Sequence, residues 1–253
     1  LRTVSETMQT SPGQNGLLIV PEQTKIDIER DLLMQSRQKC LMTVEVLSFR
    51  RLAWRLLGEI GQQPAHTVDA LGRSMLIHKV LRDSRHELHA LGALADRPGF
   101  VGQVASVLGD LKRYRIDPDQ LKTSAQTATD QALKHKSLDL ACVMDGYQRL
   151  MVEADLTDSE DDLTRLGDIL QQLIGLSDSP WPWPWSRLSW LRNTHVWITG
   201  FGELRDFTPQ EDAILSGLAA MARSLTITAA ADRIPVSRDL AEQGIEAFMA
   251  GRR

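Results

Sequence analysis

Cysteine is almost missing from this 253-residue chain, which has only Cys40 and Cys142. Neither lies in a C-x-x-C pair, so a zinc finger and a disulfide framework are both excluded, and a reducing compartment, the cytoplasm, is expected. No stretch reaches the roughly 20 apolar residues that a membrane helix requires, and no membrane association is expected. The opening Leu1-Arg2-Thr3-Val4-Ser5-Glu6 is not a signal peptide. It lacks an initiator Met and starts inside a helical pattern, as a piece of a longer protein would. No G-x-x-x-x-G-K-[ST] phosphate loop occurs, because the glycines at 13 and 16 are not followed by the Lys and hydroxyl such a loop needs. Order and spacing offer no Ser-His-Asp or Cys-His set, so no catalytic residue is assigned. His86 and His89 lie three apart without a Cys or third His at finger spacing, so no metal site is expected. Positive charge is not in excess either: 29 Lys and Arg against 33 Asp and Glu give a formal net charge of -4. That balance argues against an indiscriminate electrostatic hold on nucleic acid, while a local basic patch remains compatible with it.

What is present reads as two kinds of chain. A hydrophobic content of 42% with 25% charged residues supports an ordinary core. Leu17-Leu18-Ile19-Val20 is a short continuous apolar run of the buried parallel-strand type, ended by Pro21. A helix is predicted from near Thr24, carrying Ile26, Ile28, Leu32 and Leu33. Thr43 to Leu47 is a second strand, and Ser48 can cap the next helix, whose stripe is Leu52, Leu56, Leu57 and Ile60. From about Val68 to about Gly175 the pattern becomes purely helical, with helices predicted over 69–83, 85–95, 99–113, 117–122, 130–153 and 159–175. Proline keeps Ser177 to Trp185 out of regular structure. Strand grammar then returns at His195 to Ile198 and Leu225 to Ala230, around a helix from Thr208 to Arg223 with Pro209 in its first turn. Alternating strands and helices predict a parallel sheet covered by helices, built from residues 1–67 and 181–253, with residues 68–180 as an all-helical insertion.

Several groups invite a chemical reading beside a plainer one. In a nucleotide-hydrolysing domain, a strand such as Val196-Trp197-Ile198 would end in paired carboxylates that hold magnesium and activate water. Here Thr199 and Gly200 follow instead. Asp158, Glu160, Asp161 and Asp162 resemble a catalytic cluster, but Thr157 to Glu160 has capping-box spacing and acids favour a first turn. Asp206, Glu211 and Asp212 flank a proline helix start in the same way. Arg50, Arg51 and Arg55 are either a solvated face or a nucleic-acid contact. Of the two aromatics on that helix, Trp54 is the stronger candidate for the core and Phe49 the weaker. Lys112, Arg113 and Arg115 around Tyr114 could touch a DNA backbone or offset a helix C-terminus. The density of Trp181, Trp183 and Trp185 suggests a docking contact.

Four segments, in order, resemble one family. They are Val20-Pro21-Glu22-Gln23, Val46 to Trp54, Pro98-Gly99-Phe100 with Leu111 to Tyr114, and Gly200-Phe201 with Phe207-Thr208-Pro209-Gln210-Glu211. Asp158 to Asp161 fits between them. Together they are similar to the B subunit of the bacterial AddAB (RexAB-type) helicase–exonuclease, over nearly the whole chain. The resemblance implies a RecA-like, P-loop NTPase-type first helicase domain with a large helical insertion, at the N-terminus of a longer protein. It implies a domain that has lost translocation and uses the old strand-binding surface to recognise a short regulatory sequence, Chi, in single-stranded DNA. The implied DNA-contacting residues are Gln23, Phe49, Arg51, Trp54 and Phe207. The implied partner is an A-type subunit that carries the working motor. A phosphate loop for ATP and magnesium would lie upstream of Leu1, and a nuclease with an iron–sulfur cluster in the C-terminal part, so no cofactor is expected within this chain. The family usually has a shorter loop where Gly202 to Asp206 stands. The alternatives are an active superfamily-1 or RecB-like helicase domain, or an α/β scaffold that only docks partners.

Overall fold

A strand apolar on both sides, as Leu17 to Val20 is, is stable only inside a sheet covered on both faces. A computed structural model of the chain describes Val4 and residues 6–7, 14–35, 43–63, 66–176, 180–202 and 207–228. The run lies in β1 (Asn15–Ile19), inside a parallel sheet with β2 (Val44–Leu47), β5 (Thr194–Ile198) and β6 (Ser224–Ile227). The order is β2-β1-β5-β6, with Leu18 registered against Val46 on one side and Trp197 on the other. The α/β class with a parallel sheet is therefore as the sequence predicts.

The two faces are packed by different helices. Leu18, Val20, Val46 and Trp197 meet Val4 and Leu32, the latter from α1 (Lys25–Gln35). Leu17, Ile19, Leu47, Val196 and Ile198 face α2 (Phe49–Glu59), α7 (Asp161–Ile174) and α8 (Pro209–Met221). This division follows from chain path. The connection from β1 to β2 runs in one direction along the sheet, and those that reach β5 and β6 run in the other. Right-handed crossovers in opposite directions put their helices on opposite faces. Helices α7 and α8 approach closely because Gly217 stands where a Cβ would lie 2.5 Å from Leu170 Cβ. On α1, only Leu32 of the four predicted apolar positions is buried, and Ile26 is exposed.

A second core is built by α3 (Ala70–Asp83), α4 (Phe100–Arg113), α5 (Pro118–Thr127) and α6 (Gln131–Glu153). Three expectations fail here. The helix predicted over 85–95 is absent. The buried Asp139 carboxylate accepts hydrogen bonds from the backbone N–H groups of His89, Ala90 and Leu91, holding a turn there with only a short 3-10 piece at Gly92–Leu94. The stretch is not free of strands: β3 (Thr67–Val68) and β4 (Thr157–Asp158) form a two-residue parallel ladder. The predicted capping box is also missing, because Thr157 is held in that ladder and Glu160 stands at the N-cap of α7 without a side-chain cap. Helix α7, counted with the insertion by its position in sequence, lies in the sheet's core through Leu166, Leu170 and Leu173.

The junction between the two cores is electrostatic. Asp158 is buried and accepts from Lys112 Nζ at 3.0 Å, from the Tyr147 hydroxyl at 3.0 Å and from Arg73. Lys112 also reaches Asp161 at 2.8 Å. Two residues after Asp158, Glu160 meets Arg50 at 3.1 Å, Arg113 at 3.8 Å and Arg73 at 4.0 Å. Lys112 is thus engaged in the interior and does not serve as a phosphate contact. Burial pushes the Asp158 carboxyl up, but the Lys112 charge, the Glu160 backbone N–H and Arg73 together hold it below the usual value.

Removing one member of such a buried set leaves the others uncompensated, at a cost of about 3–5 kcal/mol. Asp158→Asn should lose stability of that size in urea unfolding at neutral pH. Because the folded pKa is depressed, the stabilising contribution is present above the unfolded value and vanishes as pH falls through the folded one. The gap between wild type and Asp158→Asn should therefore close on acidification.

Candidate nucleic-acid interface

Among the described strands, the connections diverge between β1 and β5, and in open parallel sheets the crevice beyond the strand ends at such a point is where ligands bind. The loop after β1 runs through Pro21 into a 3-10 turn at Glu22–Thr24, and the loop after β5 through Thr199 and Gly200. Backbone bonds extend the strand pairing into both loops: Thr199 N donates to Ile19 O at 3.1 Å, and Val20 N to Leu47 O at 2.9 Å. Gly200 has φ +86°, and a Cβ there would lie 3.1 Å from Pro21 Cδ. The two loops are therefore in contact through a backbone only glycine adopts readily.

Helix α2 starts beside them. Ser48 is its N-cap and accepts from Arg51 N at 3.4 Å, as predicted. Ser48 also donates its hydroxyl to Glu22, whose other carboxylate oxygen accepts from Arg51 Nε at 2.9 Å. The Ser48 hydrogen bond and the Arg51 guanidinium hold the Glu22 carboxyl below its usual range. Gln23, next in the chain, is exposed. Arg51 and Trp54, three apart, share a helix face, with side-chain exposure of 58% for Arg51 and residue exposure of 64% for Trp54. Three of the five expected contacts, Gln23, Arg51 and Trp54, are thus open to solvent, on the loop after β1 and on the first two turns of α2.

The other two differ. Phe49 is 4% exposed and Phe207 7%. Their rings pack edge-on at 5.9 Å between centroids, and Phe201 lies 5.7 Å from Phe49 and 4.9 Å from Phe207. Neither ring offers an open face to a base. The expectation for the aromatics of α2 is reversed: Phe49 at the first position turns inward against the β5 loop, while Trp54 falls outside the stripe of Leu52, Leu56 and Leu57. Phe207 sits just before Thr208, which with Glu211 forms a capping box over Pro209. The insertion at 203–206, Asp206 included, lies outside the described residues.

Remaining candidates resolve simply. His89 stacks on His135 at 4.7 Å, and no group of three potential metal ligands exists among the described residues. Trp181 is buried beneath the Arg192 guanidinium, 4.5 Å from its ring centre, and Trp185 packs on the core, so the docking expectation concerns Trp183 alone, which is 81% exposed. A 460 Å³ cleft lies at the opposite ends of β1 and β2, lined by Arg55, Glu59 and Trp190. Sequence reasoning passed over two members of the site, Glu22 and Phe201. The signal for Glu22 was an acid just after a strand-ending proline, facing a helix that opens with two arginines.

A family model described as "ADDB, N-terminal" matches residues 1–250. The chain belongs to this ADDB N-terminal family. Similar proteins include the B subunit of the ATP-dependent helicase/deoxyribonuclease of Symbiobacterium thermophilum, 33% identical over 234 residues, and that of Pelotomaculum thermopropionicum, 34% identical over 239 residues. These alignments cover 90% and 92% of this chain. The ADDB N-terminal chain spans only 18% and 19% of the length of those two relatives. No helix among its described residues is long and apolar enough to cross a membrane.

The contact between the two loops can be tested in this ADDB N-terminal chain. Gly200→Ala should destabilise by about 1–2 kcal/mol, the usual penalty of a left-handed conformation for a residue with a Cβ. Chemical denaturation of the variant checks it.

Proposed function

We propose that this chain is a helicase-like domain without water-activating acids of its own, which holds single-stranded DNA and recognises a short regulatory sequence of the Chi type. It acts within an ATP-dependent helicase–deoxyribonuclease that processes double-strand breaks for recombination in the cytoplasm, assembled with an A-type motor subunit. The observation that carries this reading is the grouping of Gln23, Arg51 and Trp54 as exposed side chains around the β1 loop and the first turns of α2. Stacking of a base on Trp54 is worth about 1–3 kcal/mol. The Arg51 fork suits a guanine edge or a phosphate, and the Gln23 amide offers donor and acceptor to a base. Phe49 and Phe207 contribute by holding the loops, as a packed pair behind the surface.

A RecA-like arrangement, with the helical block as an insertion, fits the parallel sheet and its two covered faces. Magnesium–nucleotide chemistry does not fit the residues at the end of β5, where Thr199 and Gly200 supply no carboxylate. An iron–sulfur cluster needs more thiolates than Cys40 and Cys142 offer. ATP, magnesium and the cluster belong, in this reading, to other parts of the full-length protein. The same strand end weighs against the active-helicase alternative, and the exposure of Arg51 and Trp54 weighs against a pure docking scaffold.

In the full-length protein and its native assembly, Arg51→Ala or Trp54→Ala should weaken sequence-dependent DNA binding by roughly 5- to 100-fold while ATP-driven unwinding continues. Competition binding and an unwinding assay on the same preparation measure both. Recognition untouched by both substitutions would refute the assignment.

A further inference from the structure

An arginine alone on a surface binds phosphate first, because charge attraction dominates sequence-independent binding to nucleic acid. Arg51 is not alone. Glu22 Oε1 accepts its Nε–H at 2.9 Å, and the second Glu22 oxygen takes the hydroxyl of Ser48, itself buried and engaged as the cap of α2. The carboxylate is thus anchored at both oxygens and lies against the guanidinium. Among the described residues, Nε is the one guanidinium nitrogen of Arg51 that makes a hydrogen bond, which leaves the edge formed by its two terminal nitrogens open.

We propose that Glu22 determines what Arg51 reads, turning it from a phosphate-binding cation into a reader of base edges. The inference rests on the DNA-binding role given above to Arg51. A phosphate arriving at this pair meets little net charge and a carboxylate that repels it. The uncharged O6 and N7 acceptors of guanine meet no such repulsion and match the spacing of the open guanidinium edge. The surroundings reinforce the effect. Lys25 is paired with Glu29 at 3.2 Å and Arg50 with Glu160 at 3.1 Å. These two basic side chains, from the starts of α1 and α2, are each matched by an acid, which weakens the attraction of this end of the sheet for a nucleic-acid backbone.

The test uses two oligonucleotides of equal length, one all thymidine and one with isolated guanines in a thymidine tract, titrated against the full-length protein in its native assembly over a range of salt. Glu22→Gln keeps one carbonyl acceptor for Arg51, and its NH2 can donate to the Ser48 hydroxyl oxygen, while the charge is removed. It should bind the all-thymidine strand more tightly, with a salt slope steeper by about 0.7, the increment of one added phosphate contact on a single strand. Its preference for the guanine-containing strand should fall by about fivefold or more. Exposed ion pairs contribute little to stability, so the thermal midpoint should stay unchanged. In an Arg51→Ala background the same substitution should alter neither slope nor preference. A wild-type slope and preference in Glu22→Gln, while Arg51→Ala remains defective, would overturn the role of Glu22 alone. A silent Arg51→Ala would overturn the underlying DNA-binding role and this inference with it.

Discussion

Every feature of the strand-end surface depends on β1 being paired on both sides. With β2 on one flank and β5 on the other, β1 commits Leu17 and Ile19 to one face and Leu18 and Val20 to the other. A slip of one residue would exchange these faces, so the hydrophobic pattern fixes the register. That register brings the ends of β1, β2 and β5 to one level. The segments that leave them, Pro21 to Thr24, Ser48 to Arg51 and Thr199 to Phe201, are then forced into contact. Gly200 against Pro21, Glu22 against Ser48 and Arg51, and Phe49 against Phe201 are places where the contact is made.

The charged side chains serve two separate purposes in the two halves of the molecule. At the strand ends the pairs are half-exposed, and pairs of that kind add little stability. Their consequence is direction, since Glu22 fixes how the Arg51 fork is presented. Around Asp158 the charges are removed from water, and each depends on the others to offset the loss of hydration. An acidic cluster that reads as catalytic or capping in the sequence is in fact the bond between a helical bundle and a sheet.

The sheet was largely legible in the sequence, because continuous apolar runs such as Leu17 to Val20 have few other uses. The long helices were legible too, from apolar period, from the Ser48 cap and from Pro209 in a first turn. What escaped was set by contacts distant in sequence. Asp139 holds the turn at His89 to Leu91 from about 50 residues away, and nothing local marks it. The pairing of Thr67–Val68 with Thr157–Asp158 is too short to leave a period of two. Aromatic type alone did not separate Phe49 from Trp54. Their burial is decided by which side of α2 faces the β5 loop, and that depends on Phe201 and Phe207, which lie 152 and 158 positions after Phe49 in the chain. The resemblance supplied the residue set, while burial divided it into three surface groups and two supports.

The shared grip on Glu160 has a mechanical side. Arg73 and Arg113 hold it from the bundle, and Arg50 holds it from the first turn of α2, immediately before Arg51. Glu160 thus joins the helical bundle to the very turn that presents Arg51, so the orientation of that turn is tied to the bundle and not to the sheet alone.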